Sequence, residues 1–186
     1  LISLLGRIQG VLLPLSCVLV TLVYAPSFSD YMLAKRALLH LIGGLIVAVW
    51  FARGVLMGSL SVPAVAWLWP ACAFWVLGLL SLTQASNLLR GIEVLLTQGG
   101  LFAIALATAD HYRGRVPWAL LATIASTALI VAIIGVLQYA GIHLIPAPHA
   151  HFGNLGISTL GNPNFVAHYL EIAILLTLGL MLACRT

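Results

Sequence analysis

Apolar runs broken by Pro, Gly and single charges set the pattern of this chain. Six runs, at about 8–25, 37–52, 63–82, 88–109, 118–141 and 163–183, are long enough to be candidate membrane helices, since a hydrocarbon core about 30 Å thick takes about 20 apolar residues. The second run, "ALLHLIGGLIVAVWFA", is short unless Tyr31 to Leu33 or Gly54 to Met57 extend it, with Lys35 and Arg36 snorkelling to the interface. The predicted fold is therefore all-α: a polytopic integral membrane bundle of about six helices, with residues 1–186 forming one transmembrane domain.

Composition removes the soluble alternatives. Of 186 residues, 62% are hydrophobic and 6% charged, against roughly 25% charged in a soluble domain. Mean hydropathy is +1.14. The net charge of +4 comes from Lys and Arg placed singly in loops, which is not the clustered basic face that nucleic acid requires. It reads instead as topology. When loops alternate between two sides, Arg7, Arg53, Arg113, Arg115 and Arg185 share one and Lys35, Arg36 and Arg90 the other. That bias predicts a cytoplasmic N-terminus and an outward-facing 142–161 loop.

Cys17, Cys72 and Cys184 lie far apart without a CxxC spacing, so they are expected to be small buried hydrophobes rather than a zinc site or a disulfide. Trp50 and Trp118, near span ends, are expected to anchor at the interface, and Trp67 and Trp69, between Pro63 and Pro70, on a kinked lipid-facing helix. Gly43-Gly44, Gly99-Gly100 and Ala103-Ala107 offer surfaces for close helix approach.

The ionisable groups inside the runs demand an explanation, because a charge at a helix centre costs about 2.5–3.5 kcal/mol on insertion scales. Arg90 and Glu93, three residues apart, share a helical face and can pair as an interfacial salt bridge or present the guanidinium fork to an anionic head group. His168 and Glu171 repeat that spacing in the sixth run. From Pro163 at about 1.5 Å per residue, Glu171 sits about 12 Å down its helix. It should face protein or water, either bonded to a neighbouring helix or forming the polar floor of an outward cavity with His168 and Tyr169 nearer its mouth. His40 is expected to hydrogen-bond a neighbouring helix.

Before that helix stands "GNPN". Pro163 suits the first helical position, Asn162 the cap, and Gly161 a tight turn, so that the helix start is a candidate outward anion site formed with Asn164. The preceding "IHLIPAPHAHFGNLGIS" holds His149 and His151, two ligands short of a zinc site; no metal or cofactor is expected. Walker, GxSxG, HExxH and CxxCH patterns do not occur.

At "STLGNPNFVAHYLEIAILL" the chain resembles the O-antigen ligase and polymerase superfamily of bacterial envelope proteins, which carry an S-x-x-G-N-P-N-x-x-A-x-Y-L segment opening a membrane helix. Here those positions are Ser158, Gly161, Asn162, Pro163, Asn164, Ala167, Tyr169 and Leu170. The layout upstream, "LLSLTQASNLLRGIEVLLTQGGLFAIALA" and then "GVLQYAGI", is similar too, so the resemblance covers roughly residues 70–183. It implies a glycosyltransferase of the bacterial inner membrane that moves glycan from an undecaprenyl diphosphate carrier at the outer face, by inversion and without a metal. It also implies that these helices are the N-terminal half of a longer chain. The family's catalytic histidine and arginines lie downstream of the GNPN helix, so no catalytic residue is assigned here. Arg90, Glu93, Asn162, Asn164, His168 and Glu171 are the candidate contacts to lipid-linked glycan, although His168 and Glu171 depart from the family's apolar pattern. The alternatives are a non-enzymatic transmembrane subunit of a larger complex, packed on other membrane subunits, and a bicarbonate-type anion transporter. The latter would favour inverted repeats, which residues 1–90 and 91–186 do not display.

Overall fold

A computed structural model describes residues 1–25, 31–60, 62–145 and 156–183. All the regular structure among them is helical: α1 (Ile2–Leu22), α2 (Tyr31–Leu56), α3 (Leu68–Ser81), α4 (Leu88–His111), α5 (Trp118–Tyr139) and α6 (Pro163–Ala183), with short 3-10 turns at Leu82–Gln84 and Ser158–Leu160. Five of the six helices have the length and apolar character to cross a membrane. The protein is a helical membrane bundle.

Two spans differ from the sequence reading. The second, expected to be short, is the longest helix at 26 residues, because it takes in both Tyr31 to Leu33 and Gly54 to Leu56. The third is the shortest. Of the run 63–82, only Leu68 to Ser81 is α-helical, 14 residues or about 21 Å. Pro63 has no N–H for an earlier carbonyl, and Pro70 is tolerated because it falls in the first turn of α3.

The chain forms two compact units, Leu1–Leu13 with His40–Val116, and Pro14–Leu39 with Pro117–Thr186. In the first, Leu13, Ile42, Ile46, Trp50, Leu95 and Ala107 are buried. Gly43 lets α2 approach α4, since a Cβ there would lie 2.6 Å from Ile104 Cδ1, while neighbouring Gly44 meets nothing. Trp75 donates its indole N–H to Leu95 O at 3.1 Å, tying α3 to α4. In the second unit, Ala128, Val131, Ile157, Val166 and Ala173 are buried where α5, the Ser158 turn and α6 meet.

The distribution of polarity is that of a lipid-facing bundle. Gln9, Lys35, Thr127, Gln138, Ser158 and Thr159 are buried, while Leu89, Leu96, Leu129, Ile172, Leu175 and Leu182 are exposed by more than 60%. In water this would forfeit the hydrophobic driving force; in lipid, outward Leu costs nothing and each inward polar group must find a partner.

Lys35 departs from expectation. It does not snorkel; 5% exposed, it turns inward and donates to Val20 O at 2.9 Å and Thr21 O at 2.7 Å. Those carbonyls belong to the last turn of α1, whose acceptors have no partner within the helix. Trp50 departs likewise. At 4% exposure it is no interfacial anchor, and its indole N–H reaches Asp110 Oδ2 at 3.1 Å. Trp118, Trp67 and Trp69 are exposed, but Trp67 lies in the turn just before α3 rather than on a helix, edge-on to Phe102. Cys17 and Cys72 are free thiols, half-buried rather than buried. Cys184, Arg185, His149 and His151 lie outside the described residues.

Candidate functional site

The sequence-predicted site residues fall into two groups, one in each unit. In the second unit, Gly141 ends α5 with φ +82°, its N–H donating to Gln138 O and that of Ile142 to Leu137 O, the paired bonds of a Schellman stop. The chain returns at Gly156, which lies directly on the α5 backbone: a Cβ there would sit 2.7 Å from Gly135 O. Ser158 follows, wholly buried, with φ +47°. A non-glycine residue in this region costs of order 1–3 kcal/mol and persists only when its surroundings hold it.

The surroundings do hold it. The Ser158 N–H donates to Gln138 Oε1 at 2.7 Å, its hydroxyl to Val131 O at 2.8 Å, and the Thr159 hydroxyl to Thr21 O at 2.9 Å. Thr21 O is also an acceptor for Lys35, so side chains from α2 and the turn meet on the last turn of α1. Gly161, at φ +72°, then reverses the chain, and Asn162 Oδ1 accepts the Asn164 N–H at 2.8 Å. Pro163 opens α6 at the position where its missing N–H is not needed. The Asn162 cap, Gly161 turn and Pro163 start are as the sequence indicates. Tyr169 serves packing, its hydroxyl 2.8 Å from Thr127 Oγ1 on α5.

His168 and Glu171 both lie on the outward face of α6. α6 turns Val166 and Ala173 inward; Glu171 follows Leu170, which lines the α5–α6 groove, by one residue and so points about 100° away from it. The side chains of His168 and Glu171 are 78% and 70% exposed, with Nδ1 and Oε2 3.6 Å apart, too far for a hydrogen bond. Among the described residues Glu171 meets no neighbouring helix, and it is not the floor of a cavity. Asn164 lies on the same stripe, four residues before His168.

Beside that stripe runs an apolar groove of about 510 Å³ between α5 and α6, lined by Ala125, Ala128, Ala132, Leu170, Ala173 and Leu178 among others. A second hollow of about 280 Å³ shares Ala132 and Leu170 with it and extends to Gly135 and Tyr139. The small residues of α5 make the floor, and the lining is almost wholly apolar, which suits hydrocarbon better than a polar solute.

In the first unit, Asn87 caps α4 by accepting the Arg90 N–H at 3.0 Å, a cap that the sequence reading missed although Asn before an apolar run is its usual signal. Arg90 Nη1 and Glu93 Oε2 pair at 2.6 Å with both side chains about half exposed. His40 Nε2 lies 3.1 Å from Thr97 Oγ1, which donates to Glu93 O. His40 thus bonds a neighbouring helix as expected. A further polar cluster was not foreseen: Gln9, fully buried, donates to Ala107 O at 2.9 Å and accepts from Arg53 Nη1 at 2.6 Å. Its partners are 98 and 44 residues away, beyond any local spacing rule.

No family model, curated protein or solved structure matches the chain. Among the described residues no three His, Cys, Asp or Glu side chains gather as metal ligands. What the residues offer chemically is a hydrogen-bonded turn at the start of α6 whose Asn164 N–H is already capped by Asn162, an apolar groove alongside, and two polar stripes, one on α4 and one on α6.

Proposed function

We propose that this protein is an O-antigen ligase-like membrane glycosyltransferase, acting on undecaprenyl-diphosphate-linked glycan at the outer face of a bacterial inner membrane, with its N-terminus cytoplasmic. The observation that carries the reading is the construction of the S-x-x-G-N-P-N segment. Ser158 is clamped in a left-handed backbone by Gln138 and Val131, Gly161 reverses the chain, and Asn162 caps the Pro163 start. Such a turn fixes the positive end of the α6 dipole beside the polar side chains of Asn162 and Asn164, which suits an anionic diphosphate. The α5–α6 groove supports the same reading, as a berth for part of a polyprenyl tail. The carrier diphosphate would leave as the acceptor oxygen attacks the anomeric carbon.

The test is transfer of lipid-linked glycan to an acceptor by the purified full chain, with Ser158→Ala beside the wild type. Transfer that falls at least about tenfold in the variant, at unchanged protein level, supports the reading; no transfer to any acceptor by the full chain refutes it. A reporter fused within 142–161 tests the orientation, since a cytoplasmic reporter would invert it.

A second reading, a transmembrane subunit of a larger assembly, is favoured by one observation: the exposed His168–Glu171 stripe on a membrane helix. Stoichiometric co-purification of partners with the detergent-extracted protein, together with inactivity in transfer assays, would select it.

A further inference from the structure

α6 is apolar over most of its length, yet Asn164, His168 and Glu171 follow one another at spacings of four and three residues and so form a stripe. The same stripe continues through Leu175 and Leu182, which are 67% and 66% exposed, with Leu178 between them at the edge of the α5–α6 groove. This is the pattern of a helix-packing face, polar in one half and aliphatic in the other, and none of the described residues covers it. Lipid tails would cover the leucines without penalty. They would not cover Glu171, which lies about 12 Å along the helix from its start and whose carboxyl has, among the described residues, only the His168 ring at 3.6 Å as an ionisable neighbour. Burying such a group in hydrocarbon without a donor costs several kcal/mol.

We infer that this stripe docks a separate transmembrane helix that carries an arginine or lysine at the depth of Glu171. Charge complementarity selects the occupant. A carboxyl is acceptor-only when ionised, so the group that satisfies it must donate, and a guanidinium or ammonium does so with a charge-assisted bond that an amide or hydroxyl does not match. His168, one turn nearer the helix start, leaves a second ring nitrogen for the same helix. The aliphatic continuation supplies the ordinary side-chain packing that helix association in lipid requires. A second copy of this chain is a poorer occupant, because two copies related by an axis along the membrane normal would place Glu171 against Glu171. The inference takes its partner from the subunit reading and nothing from glycan transfer; its failure would leave the transferase reading standing.

The experiment uses the donor-labelled full chain in phosphatidylcholine vesicles and an acceptor-labelled synthetic leucine-rich 23-residue peptide with one central residue varied. Energy transfer reports association. The central-Arg peptide should bind about tenfold more tightly than the central-Leu peptide, the scale of one good interhelical polar contact, and the central-Glu peptide should bind no better than the Leu form. With Glu171→Gln, which keeps the shape of an exposed side chain, the Arg preference should fall to about twofold or less. Equal binding of the Arg and Leu peptides to the wild type overturns the proposal without recourse to any variant. An Arg preference that survives Glu171→Gln overturns it too, as does self-association of the chain that the same substitution abolishes.

Discussion

Lys35 and Thr159 donate to the same carbonyl oxygen. Thr21 O accepts from Lys35 Nζ at 2.7 Å and from Thr159 Oγ1 at 2.9 Å, so one atom at the end of α1 joins the start of α2 to the turn that precedes α6. The separation along the chain is 14 residues to one donor and 138 to the other. Both donors are buried, which makes the arrangement costly to break by halves.

Lys35→Met should therefore destabilise the protein by roughly 1–3 kcal/mol, since Val20 O and Thr21 O each lose a buried charged donor. SDS-driven unfolding from detergent micelles, followed by tryptophan fluorescence, would measure it. Thr159→Val should cost less on its own, about 1 kcal/mol, and the double variant should depart from the sum by about 0.5 kcal/mol or more because the two bonds share an acceptor. Strict additivity would mean that the two donors act independently.

Ser158 provides a test of strain. Ser158→Ala loses the hydroxyl bond to Val131 O and keeps the left-handed φ of +47°, whereas Ser158→Gly loses the same bond and accepts that φ freely. The glycine variant should be the more stable of the two by about 0.5–1 kcal/mol, against the usual order in which glycine is worse. Alanine equal to or better than glycine in the same unfolding assay would mean that the backbone at 158 relaxes to an ordinary conformation.

The parts of this structure that were legible in the sequence are the ones written in local spacing. Hydrophobic runs located the helices; Gly161, Asn162 and Pro163 located a turn and a cap; the i, i+3 rule located the Arg90–Glu93 pair. The parts that were not legible depend on which helices meet. Lys35 beside Arg36 at a span end has the sequence signature of a snorkelling residue, and only the placement of the α1 carbonyls turns it inward. Trp50 near a span end has the signature of an interfacial anchor, and only Asp110, 60 residues on, gives its N–H a buried partner. Glu171 was legible only as a group that should face protein or water; its exposed side chain excludes a bond to a neighbouring helix among the described residues. The cost of a carboxyl in hydrocarbon argues for a protein or water neighbour without saying which, and helical phase gives the inward positions of α6 to Val166 and Ala173.

Gly156 should tolerate no side chain. The nearest atoms to an added Cβ are the carbonyl O, C and Cα of Gly135, at 2.7, 3.1 and 3.1 Å, and backbone cannot swing aside as a side-chain tip can. Gly156→Ala is expected to cost about 1–3 kcal/mol, the usual penalty of overpacking, and to loosen the Ser158 turn that follows it. Gly44→Ala, where an added Cβ meets nothing, should be neutral or slightly stabilising through helix propensity. Comparable losses in both variants would show that the close contact with α5 is not what fixes the turn.

Arg90 separates a structural from a recognition role. Its pair with Glu93 joins two side chains about half exposed and three residues apart on one helix, a geometry worth a few tenths of a kcal/mol. Arg90→Lys keeps the charge and can still reach Glu93, so stability should change by less than about 0.5 kcal/mol. Recognition is a different matter, because a lysine cannot reproduce the two parallel N–H bonds with which a guanidinium grips a phosphate or carboxylate. If Arg90 contacts the carrier diphosphate, Arg90→Lys should lower glycan transfer by about tenfold or more while the unfolding midpoint stays in place, and Glu93→Gln should leave more activity than Arg90→Lys does. Transfer that is indifferent to Arg90→Lys would assign the pair to the helix alone, because a bond that serves only α4 has no reason to distinguish a guanidinium from an ammonium.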